Sequence, residues 1–120
     1  MPRIDSTQFG EITIDKKKYH QVLIMGDKIE ERDYKKLKEL FSTSHKIGDW
    51  EIEALMSNNP EIIIIGTGQT GAMTLDKETI KKLQISGAQV ISDITPKAIE
   101  TYNKQIKLGK RVNALIHTTC

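Results

Sequence analysis

Along the first third of the chain apolar residues alternate with polar ones; the spacing then switches to three and four, and later to short strand-like runs. Gly10 to Ile14 sets Ile12 and Ile14 among polar neighbours, and Tyr19 to Met25 ends in the apolar stretch Val22-Leu23-Ile24-Met25. Two strands joined across Asp15 to Lys18 are the natural reading. Gly26 offers a turn residue that tolerates positive φ, and a short polar strand is expected near Ile29 to Arg32. The first third should form a small antiparallel meander.

From Asp33 the residues Tyr34, Leu37, Leu40 and Phe41 fall at helical spacing, which predicts a short helix. Ser42 to Lys46 reads as a polar loop, and Asp49 to Ser57 as a second helix with Ile52, Leu55 and Met56 inward. Asn58-Asn59-Pro60 stops it, because a residue before proline is pushed out of the α region.

Ile62-Ile63-Ile64-Ile65 is apolar on both faces and β-branched throughout, the pattern of a central parallel strand covered on both sides. A helix from about Asp76 to Gln84 ends near Gly87, and Ala88 to Ser92 is the next strand. Thr95-Pro96 reads as an N-cap followed by proline at the first helical position. Ile99, Tyr102 and Ile106 make that helix's buried stripe, Gly109 closes it, and Val112 to Ile116 is the last strand. The reading is a single α/β domain over residues 1–120, an N-terminal antiparallel meander followed by a β-α-β-α-β unit. Right-handed crossovers make its three strands parallel, with their carboxyl ends on one edge.

At 120 residues, 38% hydrophobic and 28% charged, the chain suits one core rather than two, and neither disorder nor a membrane span. Runs such as Ile62 to Ile65 fall far short of the ~20 apolar residues a membrane helix needs. The start MPRIDSTQ has no apolar signal core, so a cytoplasmic location is expected. Up to Pro60 there are 10 basic and 11 acidic residues, and after it 8 and 5. Net charges of −1 and +3 are too small to name a polyanionic partner, and Lys16, Lys17 and Lys18 read as a solvated turn. No nucleic acid is expected.

The strand-end edge gathers Gly66 to Gly71, Ser92 to Thr95, and His117 to Cys120. Ligands of open α/β sheets bind outside the carboxyl ends of strands, and the helix beginning at Thr95 points free N–H groups there. Gly66, Thr67, Gly68, Gln69, Ser92, Thr95 and His117 are therefore the candidate ligand-binding residues. Thr67, Gly68, Ser92, Thr95 and His117 are expected to line one shallow concavity.

Gly66-Thr67-Gly68-Gln69-Thr70-Gly71 formally matches the dinucleotide fingerprint G-x-G-x-x-G, with Asp93 where a ribose-binding acid would sit. That fingerprint needs the glycine turn to open directly into a helix, whereas Ala72 to Leu75 intervene and Asp76 would repel phosphate. No dinucleotide or other cofactor is expected.

His117 and Cys120 could form a thiolate pair, but no acid is evident to orient the base. Cys120 is the sole cysteine, and His20, His45 and His117 do not have metal-ligand spacing. Ser42, Ser44 and Ser57 lack a nucleophile-elbow context. No catalytic residue and no metal site are assigned. Arg111, at the opposite edge, reads as a brace, and Trp50 as a cover for the core margin.

The chain resembles the Mth-type domain family, whose relatives include an adipogenesis-associated protein and assembly factors of mitochondrial respiratory complex I. The resemblance lies in Ser44-His45-Lys46-Ile47-Gly48, Pro60 to Gly68, Tyr102-Asn103, and Gly109-Lys110-Arg111-Val112 leading to Ile116-His117-Thr118-Thr119-Cys120. It implies an α/β fold with a mixed sheet and helices packed on it, and it supplies no catalytic residues to transfer; Gly66, Thr67, Gly68 and His117 match its motifs.

The expected function is a small binding, assembly or regulatory module. The alternative is a small-ligand or nucleotide-binding enzyme using the strand-end edge. A protein partner or a small ligand is expected, no membrane contact is, and exposed edges of the meander could pair between chains.

Overall fold

In the computed structural model, which describes residues 1–120, the chain opens with β1 (Ile4–Gln8), β2 (Glu11–Ile14) and β3 (Lys17–Tyr19), an antiparallel sheet in that order. Asp15 and Lys16, at φ 46° and 69°, form the two-residue turn between β2 and β3, with the twist such hairpins prefer. β1 carries a single apolar residue, Ile4, and so gives no alternation to read. Its place is set by the burial of that residue and by two hydrogen bonds between the Ile4 backbone and the Asn103 side chain.

The stretch Tyr19 to Met25, expected to be one strand of a meander, is two strands in different sheets. The chain bends at His20-Gln21, and β4 (Val22–Met25) leaves the first sheet to pair with β5 (Lys28–Glu31) and β8 (Val112–His117), antiparallel to both. All four residues of β4 are buried. A strand apolar on both faces needs cover on both, which the half-polar β1-β2-β3 sheet does not offer and the central sheet does.

The central sheet runs β5-β4-β8-β6-β7, where β6 is Ile62–Thr67 and β7 is Gln89–Asp93, and β8, β6 and β7 are parallel. The helices α1 (Tyr34–Phe41), α2 (Asp49–Met56), α3 (Lys77–Gln84) and α4 (Thr95–Lys107) pack around it. Asp33 and Asp76 cap α1 and α3 by accepting from the Lys36 and Thr79 amides at 3.0 and 2.7 Å. α2 ends before Asn58 and Asn59, both at positive φ.

Alternation along β6 divides the interior into two layers. Ile62 and Ile64 join Ala98, Ile99 and Tyr102 of α4 and Ile4, Ile12 and Ile14 of the first sheet. Ile63 and Ile65 join Ile52 and Leu55 of α2 and Leu83 of α3 on the other side. Ile62 to Ile65 are at most 6% exposed, as a parallel strand covered on both faces should be.

Candidate functional site

β6 and β8 run side by side with Thr67 opposite His117 in register, so the strand-end edge brings together parts of the chain fifty residues apart. Thr95, expected as the N-cap of α4, is instead its first helical residue; Ile94 is the cap and makes no side-chain cap bond. The Thr95 side chain is completely buried. Its hydroxyl accepts from the Gly68 amide at 2.9 Å and donates to the His117 carbonyl. It ties three segments together and is not free to cap.

The glycine loop closes against the residues after β8. The Gln69 amide donates to the Thr119 carbonyl at 2.8 Å, and the Thr70 and Ala72 amides donate to the main-chain oxygen of Cys120 at 3.0 Å each. The Gly71 amide turns back to the Gly68 carbonyl at 3.3 Å. The Gln69 side chain reaches Thr7, Gln8 and Thr118 at 3.0–3.1 Å, fastening the loop to β1. Gly68 sits at φ +111°; a β-carbon there would collide with Cys120 and come within 3.0 Å of the His117 ring. No helix opens from this loop, since α3 begins only at Lys77.

Of the seven candidate residues, Gly66, Thr67, Gly68, Gln69, Thr95 and His117 are thus gathered in one place. Ser92 is not: it lies exposed on the edge strand β7, opposite Ile65. The gathered residues pack solidly instead of lining the expected concavity. Topology assembles the edge, and residues Thr118–Cys120 fill it. The three concavities of the surface lie elsewhere.

Beneath this edge lies a buried polar cluster that reading the sequence did not single out. The Arg32 guanidinium donates from all five of its N–H groups: to Glu51 Oε2 at 2.7 Å and Oε1 at 2.9 Å, to Gln21 Oε1 at 2.9 Å, and to the Ser44 and Lys46 carbonyls at 2.9 and 2.8 Å. Glu51 also accepts from the Gly48 amide at 3.0 Å, so the loop before α2 is folded around the ion pair. Trp50 lies over Gly48, leaving no room for a β-carbon there, and carries the Lys36 ammonium 4.3 Å above its ring. Glu51 had a readable signal, being four residues before Leu55 and hence on the same buried face of α2. Gln21 and Arg32 had none, as each lies just outside its strand.

Gln21 joins this cluster to the edge. Its Oε1 also accepts from His117 Nδ1 at 2.8 Å, which assigns the Nδ1–H tautomer from the network. His117 Nε2 then accepts from the Thr119 hydroxyl at 3.0 Å. The ring is fully buried, with His45 edge-on at 4.9 Å between centroids. Burial, then the positive field of Arg32, push its pKa down to about 4. His117 is therefore a neutral imidazole with both nitrogens engaged, and Nε2 can take a proton only if Thr119 lets go. Gln21 Nε2 is buried with no hydrogen-bond partner.

At the opposite edge Arg111 does brace the end of the sheet: its Nε donates to the Asn59 carbonyl at 2.9 Å and its Nη1 stands 3.1 Å from Glu61. Next to it is the largest concavity, a groove of about 770 Å³ along the last turn of α4.

The sequence profile of a family described as a protein of unknown function (DUF498/DUF598) matches residues 4–117. Among solved structures, MT938 is 27% identical, with all of both chains covered and a TM-score of 0.79. The conserved hypothetical protein PH1505 from Pyrococcus horikoshii OT3 is 30% identical, with 98% of this chain and 99% of that one covered and a TM-score of 0.80. A Bordetella pertussis protein described as a Mth938-like domain shares the fold at 17% identity and a TM-score of 0.66, over 97% of this chain and 85% of its own. With this profile and the full-length likeness to PH1505, the chain belongs to the DUF498/DUF598 family of Mth938-like domains, as its resemblance to Mth-type domains implied.

Proposed function

We propose that this chain is a binding, assembly or regulatory module and that it does not catalyse a reaction at the strand-end edge. One observation carries the reading: the glycine-loop amides and the His117 ring are already partnered within the chain. The amides of Gly68 to Ala72 donate to Thr95, Thr119, Cys120 and Gly68 itself, and a phosphate or carboxylate would have to displace those acceptors. The His117 imidazole, the sequence's candidate at this edge for proton transfer, is buried and bonded at both nitrogens. An edge bonded to itself in this way holds its shape and leaves recognition to the outer surface.

Two measurements on the full chain test this. Thermal-shift screening against nucleotides and small metabolites should give no saturable stabilisation. Cross-linking in the cells that make the protein, followed by affinity capture, should return a defined protein partner in constant ratio to the chain. Saturable binding of a small molecule that is lost in His117→Gln would overturn the reading in favour of a ligand-using enzyme.

A further inference from the structure

The groove beside α4 joins Arg3, near the start of the sequence, to a run of cations between residues 104 and 111. Its walls carry Arg3, Lys104, Lys107, Lys110 and Arg111, and no acidic residue lines it. Lys104 and Lys107 share one side of the helix. Gly109, at φ +81°, turns the chain so that Lys110 and Arg111 face the same opening. Ile106 forms apolar floor between them, and the two Asn103–Ile4 hydrogen bonds, at 3.0 and 2.7 Å, hold the first strand against α4 and fix the groove's width. Lys110 and Arg111 share one carboxylate at the rim, Glu61, at 3.5 and 3.1 Å. Arg3, Lys104 and Lys107 form no ion pair within the chain.

Lysines in the last turn of a helix complement its dipole, which accounts for Lys104 and Lys107 but not for Arg3, Lys110 or Arg111 converging on them. We propose that this groove docks an acidic segment of a protein partner, with carboxylates against Arg3, Lys104 and Lys107 and an apolar side chain over Ile106. Glu61 displays the contact in miniature: its carboxylate takes two cations and the Arg111 amide, at 3.4 Å, together. Small-molecule sites are walled mainly by apolar and aromatic side chains, whereas only two of the nine residues lining this groove are apolar and none is aromatic. Single-stranded nucleic acid would call for aromatic platforms, and duplex for a broader basic face than a chain of net charge +2 presents. The proposal rests on the binding-module reading and names the chemistry of the partner.

The test is fluorescence anisotropy of the full chain with a fluorescein-labelled dodecapeptide rich in Glu and Leu, beside its Gln counterpart. The acidic peptide should bind, the Gln peptide should not, and affinity should fall steeply with added salt. Lys104→Glu with Lys107→Glu should weaken binding by about tenfold or more, and Lys104→Gln with Lys107→Gln by an intermediate factor, with circular dichroism unchanged, since both side chains are exposed. Equal binding of the two peptides, unchanged binding by the Glu variant, or displacement of the peptide by lower concentrations of tripolyphosphate or oligothymidylate would each overturn the proposal. Repeating the cellular capture with the Glu variant separates the two readings. A partner kept by the variant refutes the groove while the module stands, and no partner in either form refutes the module itself.

Discussion

The guanidinium of Arg32 and the carboxylate of Glu51 meet at two points, 2.7 and 2.9 Å apart, and neither side chain reaches solvent. Removing one partner strands the other charge in the interior. Glu51→Ala should therefore cost about 3–5 kcal/mol, whereas an apolar pair of similar volume at both positions should cost far less. Urea denaturation of the single and double variants checks this; a Glu51→Ala loss below about 1 kcal/mol would mean the pair is solvated in solution.

Ile63 and Ile64 face opposite core layers and are both completely buried. Ile63→Ala and Ile64→Ala should each cost about 2–5 kcal/mol from lost burial and the cavity left behind. Because the two side chains lie on opposite faces, their effects should add in the double variant. Strong non-additivity in chemical denaturation would show that the sheet shifts to fill one cavity from the other side.

Gly68 is the position where the glycine loop and the residues after β8 come closest. Gly68→Ala should loosen residues 118–120 and speed hydrogen exchange at the Gln69, Thr70 and Ala72 amides, which those residues protect. Nicotinamide and flavin dinucleotides should show no saturable binding near micromolar Kd, about −8 kcal/mol. Binding by the native chain that is lost in Gly68→Val would reinstate the fingerprint reading of Gly66 to Gly71.

The folded-state pKa of His117, about 4, lies below the value of 6.5 it has when free. Between those values the unfolded chain binds a proton that the folded chain refuses, so stability rises with pH across that window and levels off above it. The burial of the ring makes this worth about 3–4 kcal/mol at most, at roughly 1.4 kcal/mol per pH unit. Denaturation midpoints from pH 4 to 8 should climb through this range, and the climb should flatten in His117→Gln. An equal slope in the variant would place the titrating group elsewhere.

The C-terminal β-α-β-α-β unit was legible in the sequence because each of its strands is bounded by a helix signal and a turn residue. Four isoleucines in a row admit no one-sided strand. The N-terminal region was harder to read: Val22 to Met25 is apolar on both faces and so calls for cover on both, but it follows Tyr19 without a turn residue to mark where the chain passes from one sheet to the other. The convergence of Thr67, Gly68 and His117 follows from topology alone. That the residues after His117 fold back to occupy the edge depends on single hydrogen bonds, and these leave no periodicity. The same holds for Arg32 and Gln21, which meet through tertiary placement. Of the basic groove, the run Lys104, Lys107, Lys110 and Arg111 is legible in the sequence, but the addition of Arg3 is not, because it depends on the packing of β1 on α4.

The order of strands in the central sheet also bears on how the chain is made. β8 comes last in sequence among the strands, yet it stands between β4 and β6. As the polypeptide emerges from a ribosome, β4-β5 and β6-β7 can each pair locally, but both present an open edge to solvent until residues 112–117 arrive between them. A chain interrupted before Val112 would expose two apolar edges at once, and templated association is the usual fate of such edges. Synthesis stalled between β7 and β8 should therefore be more damaging than stalling before β4, and nascent chains that lack β8 should be the ones that chaperones hold.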